Sequence, residues 1–438
     1  MQSPENFVRW FRQVAPYVHD FGGRTFVVAF GGEMVAERAR FESFIHDVNV
    51  LASLEIRLVL VHGARPQVEA EMKAKGLRSH YAQGLRITDD QALVAVKHAA
   101  GVLRVEIEAL LSQGLPDSPM ARAQIRVASG NYITARPIGV RNGVDFQFTG
   151  AVRKVDAAAL AAQLDVADIV LVPHLGYSTT GEVFNLAWED VAESVAVALK
   201  ADKLLMYTDK LPTDKKGEVV SELTADEAAA LATKKVNDLS PAAIRALEHL
   251  ARAVEGGVGR GHLLARRAEG ALILELFTHA GVGTMITADA VEKLRAAKVE
   301  DVRSMLAIIE PLEADGTLVK RSRELLESEI GNFLVIEHDA RIVGCAALYP
   351  FPDDKSAEFA CLAVAPEYRD AGHAERLLKA CEERAKGLKL RKLFALTTQA
   401  EHWFVEQGFR AAEVDALPES RKAMYNWRRG SKVFLKRI

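Results

Sequence analysis

Short runs rich in valine, isoleucine and leucine alternate with longer helical stretches through the first half of the chain, and no other feature restricts its fold so tightly. The runs are Phe26–Phe30, Arg57–Val61, Ile169–Val172 and Leu204–Tyr207, and between them lie Phe41–Leu54, Asp89–Leu111 and Glu189–Ala201. A strand that is apolar at almost every position needs cover on both faces, and helical crossovers make successive strands parallel. The pattern predicts a three-layer α/β domain around a mostly parallel sheet. Ala135–Val155, with its turn signal Arg141-Asn142-Gly143-Val144, reads as an inserted hairpin. Ahead of the first strand, Ser3–Tyr17 is predicted as an amphipathic helix, with Ser3 as N-cap and Pro4 at the first helical position. Its stripe of Phe7, Trp10, Phe11, Val14 and Val18 can pack at home or on a neighbouring subunit.

The pattern changes near residue 285. Met285–Lys293 reads as a short bridge, followed by helices over Val299–Leu312 and Arg323–Ile330. Two antiparallel strands, Phe333–His338 and Arg341–Tyr349, turn on Asp339-Ala340; a third, Ala357–Val364, leads through a loop to the helix Ala374–Lys386. This is an α+β domain, so the expected division is 1–287 and 288–438, two domains in 438 residues. Lysine plus arginine (56) nearly balance aspartate plus glutamate (59), which leaves no global field toward nucleic acid or an anionic membrane. No stretch approaches the roughly 18 apolar residues of a spanning helix, and the expected location is the cytoplasm. The cysteine count of 3 argues against a disulfide framework, and the histidines lack zinc-binding spacing, so no metal is expected.

The clearest chemistry lies late in the chain. Between the third strand and the helix, Arg369-Asp370-Ala371-Gly372-His373-Ala374 forms R-x-x-G-x-A. Small residues there let backbone N–H groups approach a pyrophosphate, and the helix presents its positive end to the same anion. In this order, with Gly408-Phe409 later, the segment resembles the signature loop of the GNAT superfamily of acetyl-CoA-dependent N-acetyltransferases. The resemblance implies that backbone of Cys361, Leu362, Ala363 and Val364 holds the acetyl-pantetheine arm and that Arg369, Asp370, Gly372, His373 and Ala374 hold the diphosphate. In such enzymes the amine attacks the thioester directly, and the protein supplies a base and an exit for the thiolate. Glu358, on the strand expected to face the coenzyme, is the candidate base; the alternative is an exposed strand carboxylate. Where many relatives carry a tyrosine acid this chain has Phe404, so either Thr397 protonates the thiolate or it leaves unassisted.

Between Glu419 and Ile438 lie seven basic residues and one acid. Arg428-Arg429, with Ser431 and Lys432, and the earlier Lys320-Arg321-Ser322-Arg323 suit a substrate with two carboxylates, since guanidinium groups bind carboxylates bidentately. The competing reading is a solvated basic face. Arg321, Arg429 and Ser431 are the candidate substrate ligands.

The first domain carries Val59-Leu60-Val61-His62-Gly63-Ala64-Arg65-Pro66-Gln67, Gly84-Leu85-Arg86-Ile87-Thr88-Asp89 and Leu204-Leu205-Met206-Tyr207-Thr208-Asp209. These resemble the N-acetylglutamate kinases of the amino-acid kinase family. The departures bear on activity. The family's K-x-G-G reads Ala29-Phe30-Gly31-Gly32, which removes the cation that would stabilise a transferring phosphoryl group. Ala64 and Arg65 replace loop glycines, and Trp188 stands beside the nucleotide site. Leu272–Thr278 with Gly281-Val282-Gly283-Thr284 resembles the arginine-binding segment of arginine-inhibited members, which also carry an extra amino-terminal helix that joins subunits. That resemblance assigns Glu275 to the effector's guanidinium, with Gly281, Gly283 and Lys203 nearby; otherwise Glu275 is a charge at the end of an apolar strand.

Together the halves resemble the two-domain N-acetylglutamate synthase family, the amino-acid acetyltransferases that open arginine biosynthesis. The resemblance implies L-glutamate as acceptor, acetyl-CoA as cosubstrate, L-arginine as regulator and a homo-oligomer built through the first helix. A working N-acetylglutamate kinase and a non-enzymatic arginine sensor are the competing readings.

Overall fold

A computed structural model describes residues 4–113, 125–233, 239–278, 280–289, 292–339, 341–369 and 372–438. The chain divides into two compact units, Met1–Asp289 and Ala290–Ile438. Among the described residues no helix is long and apolar enough to cross a membrane.

The first unit is built on an eight-stranded sheet in the order Glu222–Thr224, Thr284–Thr287, Arg260–Ala265, Lys203–Thr208, Thr25–Phe30, Arg57–His62, Ile169–Pro173, Val127–Ser129. Every neighbouring pair is parallel except Arg260–Ala265 with Thr284–Thr287. Successive side chains of a strand face opposite ways, and two separate cores result. Val27, Ala29, Val59, Val61, Leu204 and Met206 join one with the helices Ala157–Leu164, Trp188–Leu199 and Pro241–Glu255. Phe26, Val28, Phe30, Leu58, Leu60 and Leu205 join the other with Pro4–Phe21, Arg38–Ser53 and Ala271–Phe277. The three expected layers follow from this alternation. The inserted hairpin is present: Ile133–Pro137 pairs antiparallel with Gly150–Val155, and Val140–Arg141 with Val144–Asp145 across Asn142-Gly143.

Three local expectations need correction. Met285–Lys293 is not a bridge, because Thr284–Thr287 is a sheet strand and Glu292–Ala296 opens the second unit's sheet. Leu272–Phe277 lies in a helix, Ala271–Phe277, since it buries Leu272, Glu275 and Leu276 at three- and four-residue spacing. The first helix runs on to Phe21, with Pro16 inside it, while Phe7, Trp10 and Phe11 are exposed. Ser3, Ala340 and Asp370 lie outside the described residues.

The second unit holds a seven-stranded sheet ordered Glu292–Ala296, Phe333–His338, Arg341–Phe351, Ser356–Val364, Lys392–Thr397, Lys432–Arg437, Arg410–Ala412. Its neighbours are antiparallel except the central pair, Ser356–Val364 and Lys392–Thr397. That parallel pairing covers only Ser356, Ala357 and Glu358 against Lys392, Leu393 and Phe394. Beyond Glu358 the strands part. On its other edge the strand pairs Cys345 with Ala363 but Ala347 with Ala360. The extra residue makes a β-bulge, and Cys361 takes it up with a φ of 54°.

Helix His373–Gly387 packs on one face of this sheet and Val302–Ala314 on the other. Phe404 is buried in an aromatic cluster, its ring centroid 5.0 Å from Trp403, 5.2 Å from Phe409, 6.0 Å from Phe434 and 6.3 Å from Phe359. A side chain so placed holds the core rather than doing chemistry. Phe404→Ala is expected to destabilise the protein by about 3–5 kcal/mol, read as a lower denaturation midpoint.

Candidate active site at the splayed strands

Glu358 is the last residue of the short parallel pairing, so its carboxylate lies at the root of the opening between the two strands. Its side chain is 11% exposed, and Arg421 grips it with Nε donating to Oε2 (2.6 Å) and Nη2 to Oε1 (3.0 Å). Tyr349 stands directly opposite Glu358 in the antiparallel register, but its hydroxyl donates to Glu329 Oε2 at 2.7 Å. Burial and this carboxylate acceptor both push the Tyr349 phenol well above its ordinary range. Thr397 is buried at the end of the neighbouring strand. Its Oγ1 accepts from the backbone N–H of Ala400 (2.9 Å) and Gln399 (3.3 Å). Accepting uses the oxygen's lone pairs and leaves the hydroxyl proton free to be donated.

Two more arginines converge here. Arg321 donates to the Val319 carbonyl at 3.0 Å, and Arg429 Nη2 donates to the carbonyls of Gly316 (3.1 Å) and Thr317 (2.7 Å). Neither forms a salt bridge with a described carboxylate, and Arg429 Nε is buried without a hydrogen-bond partner. Burial, then the neighbouring Arg321 charge, lowers Arg429 from its ordinary value. Burial works against the Arg321 charge too, but Cys361, Tyr349 and Glu358 around it raise its affinity for the proton. Two guanidinium groups near each other, each resting on backbone carbonyls, offer the geometry that carboxylates bind. Ser431 joins this segment, its carbonyl accepting from Tyr425 Oη at 2.5 Å. Other members of the basic clusters go elsewhere. Arg323 pairs with Glu327 at 2.7 Å, Lys432 with Glu401, and Ser322 caps the helix Arg323–Ser328.

The glycine loop has the expected form. Gly372 adopts a φ of 79° and caps helix His373–Gly387, whose first N–H groups point out of its end. The side chain of His373 turns inward, Nε2 lying 3.2 Å from Glu292 Oε2, so its backbone remains for an anion while its imidazole does not. Arg369 Nε donates to the Val364 carbonyl at 3.5 Å and holds the loop to the strand end.

In the first unit a cavity of 270 Å³ lies between the glycine loops and is lined by Gly31, Gly63, Arg65, Tyr81, Arg86 and Trp188, among others. The Trp188 indole covers the loops: a Cβ on Gly63 would meet its Cδ1 at 2.6 Å. Arg65 and Arg86 lie on the Tyr81 ring, 4.6 and 4.9 Å from its centroid. Aromatic carbon and cation–π contacts thus line the cavity beside the glycine loops.

Glu275, Gly281, Gly283 and Lys203 are brought together, through a residue no motif singled out. His262 Nδ1 donates to Glu275 Oε1 at 2.7 Å, and its Nε2 faces Lys203 Nζ at 3.5 Å. Glu275 Oε2 accepts from the N–H of Val282 and of Gly283, both at 2.8 Å. Burial opposes ionisation of Glu275, yet the bonds from His262, Val282 and Gly283 hold it below its ordinary range. The glycines are required by close approach: a Cβ on Gly281 would meet Glu275 Oε2 at 2.6 Å, and one on Gly283 the Leu263 carbonyl at 2.5 Å. Neither His262 nor Arg421 was separable in the sequence from the other histidines or tail arginines, because what distinguishes each is the carboxylate it meets.

Residues 24–254 match the model of the amino acid kinase family and residues 300–409 that of the acetyltransferase (GNAT) family. The chain is 48% identical to an amino-acid acetyltransferase of Ralstonia nicotianae, over 99% of this chain and 96% of that protein. It is 46% identical to one of Pseudomonas aeruginosa over 99% of this chain and 100% of the other. The N-acetylglutamate synthase of Neisseria gonorrhoeae, solved with coenzyme A and L-arginine, superposes with a TM-score of 0.88 at 39% identity, covering 99% of both chains. The same synthase with coenzyme A and N-acetyl-glutamate gives 0.63, covering 98% of this chain and 99% of that one.

Burial pushes His62 and His262 down to about 4, and burial with the nearby His62 pushes His174 to about 3, from an ordinary 6.5. The unfolded chain therefore binds protons that the folded unit does not, and stability falls as pH drops from 6.5 toward 4. Scanning calorimetry across that window is expected to show the loss, and His262→Gln to remove its share, on the order of 3 kcal/mol.

Proposed function

Because the chain belongs to the amino-acid acetyltransferase family, we propose that it transfers the acetyl group of acetyl-CoA to the α-amino group of L-glutamate, releasing N-acetyl-L-glutamate and CoA. That it is an acyltransferase follows from the full-length relatives and the GNAT match. The acceptor is read from the site, and one observation carries it: Arg321 and Arg429, held together without carboxylates of their own, lie beside a carboxylate at the root of the splay. An amino dicarboxylic acid meets both needs, with its carboxylates on the arginines and its ammonium toward Glu358.

The backbone of Cys361, Leu362, Ala363 and Val364, unpaired on the splayed edge, receives the acetyl-pantetheine arm as an added strand. The N–H groups of Gly372, His373 and Ala374 receive the diphosphate at the helix end; the Arg369 N–H is turned to the Pro366 carbonyl at 3.4 Å, and Arg369 and Asp370 are assigned there by resemblance alone. Glu358 takes a proton from the ammonium, the freed amine attacks the thioester carbon, and the carbon–sulfur bond breaks as the amide forms. The second N–H proton of the amine goes to the departing thiolate through Thr397, whose hydroxyl gives its proton to the sulfur as it takes one up from the nitrogen. Arg321, Arg429 and Ser431 orient the glutamate.

The first unit is proposed as the sensor for L-arginine, the end product of the pathway this reaction would open. The effector's guanidinium would take over from Val282 and Gly283 on Glu275, near Lys203, Gly281 and Gly283, and lower the rate. The exposed Phe7, Trp10 and Phe11 of the first helix support assembly into a homo-oligomer. Phosphotransfer is disfavoured by Ala29, Arg65 and the seated Trp188; an ADP-coupled assay with N-acetylglutamate and ATP is expected to show no turnover.

Thiol release from acetyl-CoA over a panel of amino acids tests this reading directly. Glutamate is expected to be the preferred acceptor, Glu358→Gln to lower kcat by about 10²–10⁴, and Arg429→Ala to raise KM for glutamate about ten- to a hundredfold. Full thiol release by Glu358→Gln would refute the base. Added arginine is expected to slow the wild type but not Glu275→Ala, and equal inhibition of both would remove Glu275 from the effector site.

A further inference from the structure

We infer that Arg421 is a positioning residue for acetyl transfer, fixing the Glu358 carboxylate in the orientation from which it accepts the proton of the incoming amine. This rests on the reading of Glu358 as the base.

The geometry separates Arg421 from the other arginines of the site. Its Nε and Nη2 fork onto the two oxygens of Glu358 at 2.6 and 3.0 Å, while Nη1 donates to the Met424 carbonyl at 3.4 Å. The guanidinium is thus held between the carboxylate and the backbone. Arg321 and Arg429 rest on carbonyls and keep their charge for a ligand. Two guanidiniums remain for two substrate carboxylates, and the third is already committed.

Glu358 needs such a partner. A glutamate side chain has three rotatable bonds, and this one projects where the strand has just lost its neighbour, so the sheet fixes its Cα but not its carboxylate. The cross-strand Tyr349 does not help, because its hydroxyl is spent on Glu329. Among the described residues the hydrogen bonds to the Glu358 carboxylate both come from Arg421. The side chains of the pair are 21% and 11% exposed, so water competes for them far less than for a surface bridge.

Arg421 is itself well carried. It sits in the four-residue helix Glu419–Lys422, just after Leu417, which is buried in a small core with Phe394 and Val433. Phe394 is the residue paired with Glu358 across the parallel strands. Base and positioning residue are therefore anchored on the same packing. A carboxylate offers about four lone-pair sites, and the fork occupies one on each oxygen, which leaves each oxygen able to take a proton from the ammonium directly or through one water.

The test is steady-state thiol release by the full-length protein with glutamate varied at saturating acetyl-CoA. Arg421→Gln is expected to lower kcat about a hundredfold while KM for glutamate stays within about threefold, because a positioning residue acts on the reacting group and not on substrate binding. Arg421→Lys keeps the charge without the fork and is expected to fall between, and guanidinium ion added to Arg421→Ala is expected to restore part of kcat. Adding Arg421→Gln to Glu358→Gln is expected to cost nothing further, since Arg421 acts through Glu358. Several outcomes overturn the inference: a KM raised about tenfold with kcat kept, which makes Arg421 a substrate ligand; an Arg421→Gln kcat equal to wild type; or losses that multiply in the double variant, as a folding defect would give. Wild-type kcat in Glu358→Gln instead defeats the base reading itself, which a failure confined to the Arg421 variants leaves standing.

Discussion

The parallel pairing that ends at Glu358 governs the chemistry of the second unit. A buried backbone N–H or C=O must find a partner, and on the splayed edge of Ser356–Val364 the sheet supplies none after the third paired residue. An extended ligand arm carrying its own amides can complete that edge, as a peptide does in strand addition. The bulge at Cys361 sharpens the effect. One extra residue twists the strand and places the backbone from Cys361 to Val364 at the opening while Cys361 itself stays buried. The signature loop then follows the strand directly, so an arm on the strand edge and a diphosphate at the helix end would meet consecutive pieces of backbone.

The two units treat buried charge in opposite ways. In the second, Arg321 and Arg429 lean on carbonyls, which meets part of their hydrogen-bonding capacity and none of their need for an anion. In the first, Glu275 accepts from His262 and two backbone N–H groups, and Trp188 lies over the glycine loops at Gly31 and Gly63. A cation pair resting on carbonyls can take a carboxylate from a ligand, and a carboxylate already met can exchange one set of donors for another. That contrast agrees with one unit carrying the reaction and the other modulating it.

Much of this was legible in the residues. Four strands of the first sheet were read to within a residue at each end, because strands buried on both faces are unbroken apolar runs. The hairpin at Asn142-Gly143 was legible because its turn chemistry is local. Among what escaped, Arg260–Ala265 is buried at four positions but only Leu263, Leu264 and Ala265 of it are apolar. Glu292–Ala296, an edge strand of mixed charge, has no apolar run to read, and Thr284–Thr287 is too short to stand out. Ala271–Phe277 is an apolar run whose length suits strand or helix equally.

Sequence by itself determined the layered architecture, the loss of the kinase lysine at Ala29, the glycine loop ahead of helix His373–Gly387 and the set of residues from which a site could be made. Those are matters of local periodicity, side-chain chemistry and turn geometry, which neighbours along the chain carry. Tertiary structure alone decided which arginine meets which partner. Arg421, Arg428 and Arg429 share one basic tail, yet one forks onto Glu358 and another joins Arg321 from more than a hundred residues away. No local pattern encodes that choice, because it is set by where strand pairing stops and by the packing of Leu417 on Phe394 and Val433.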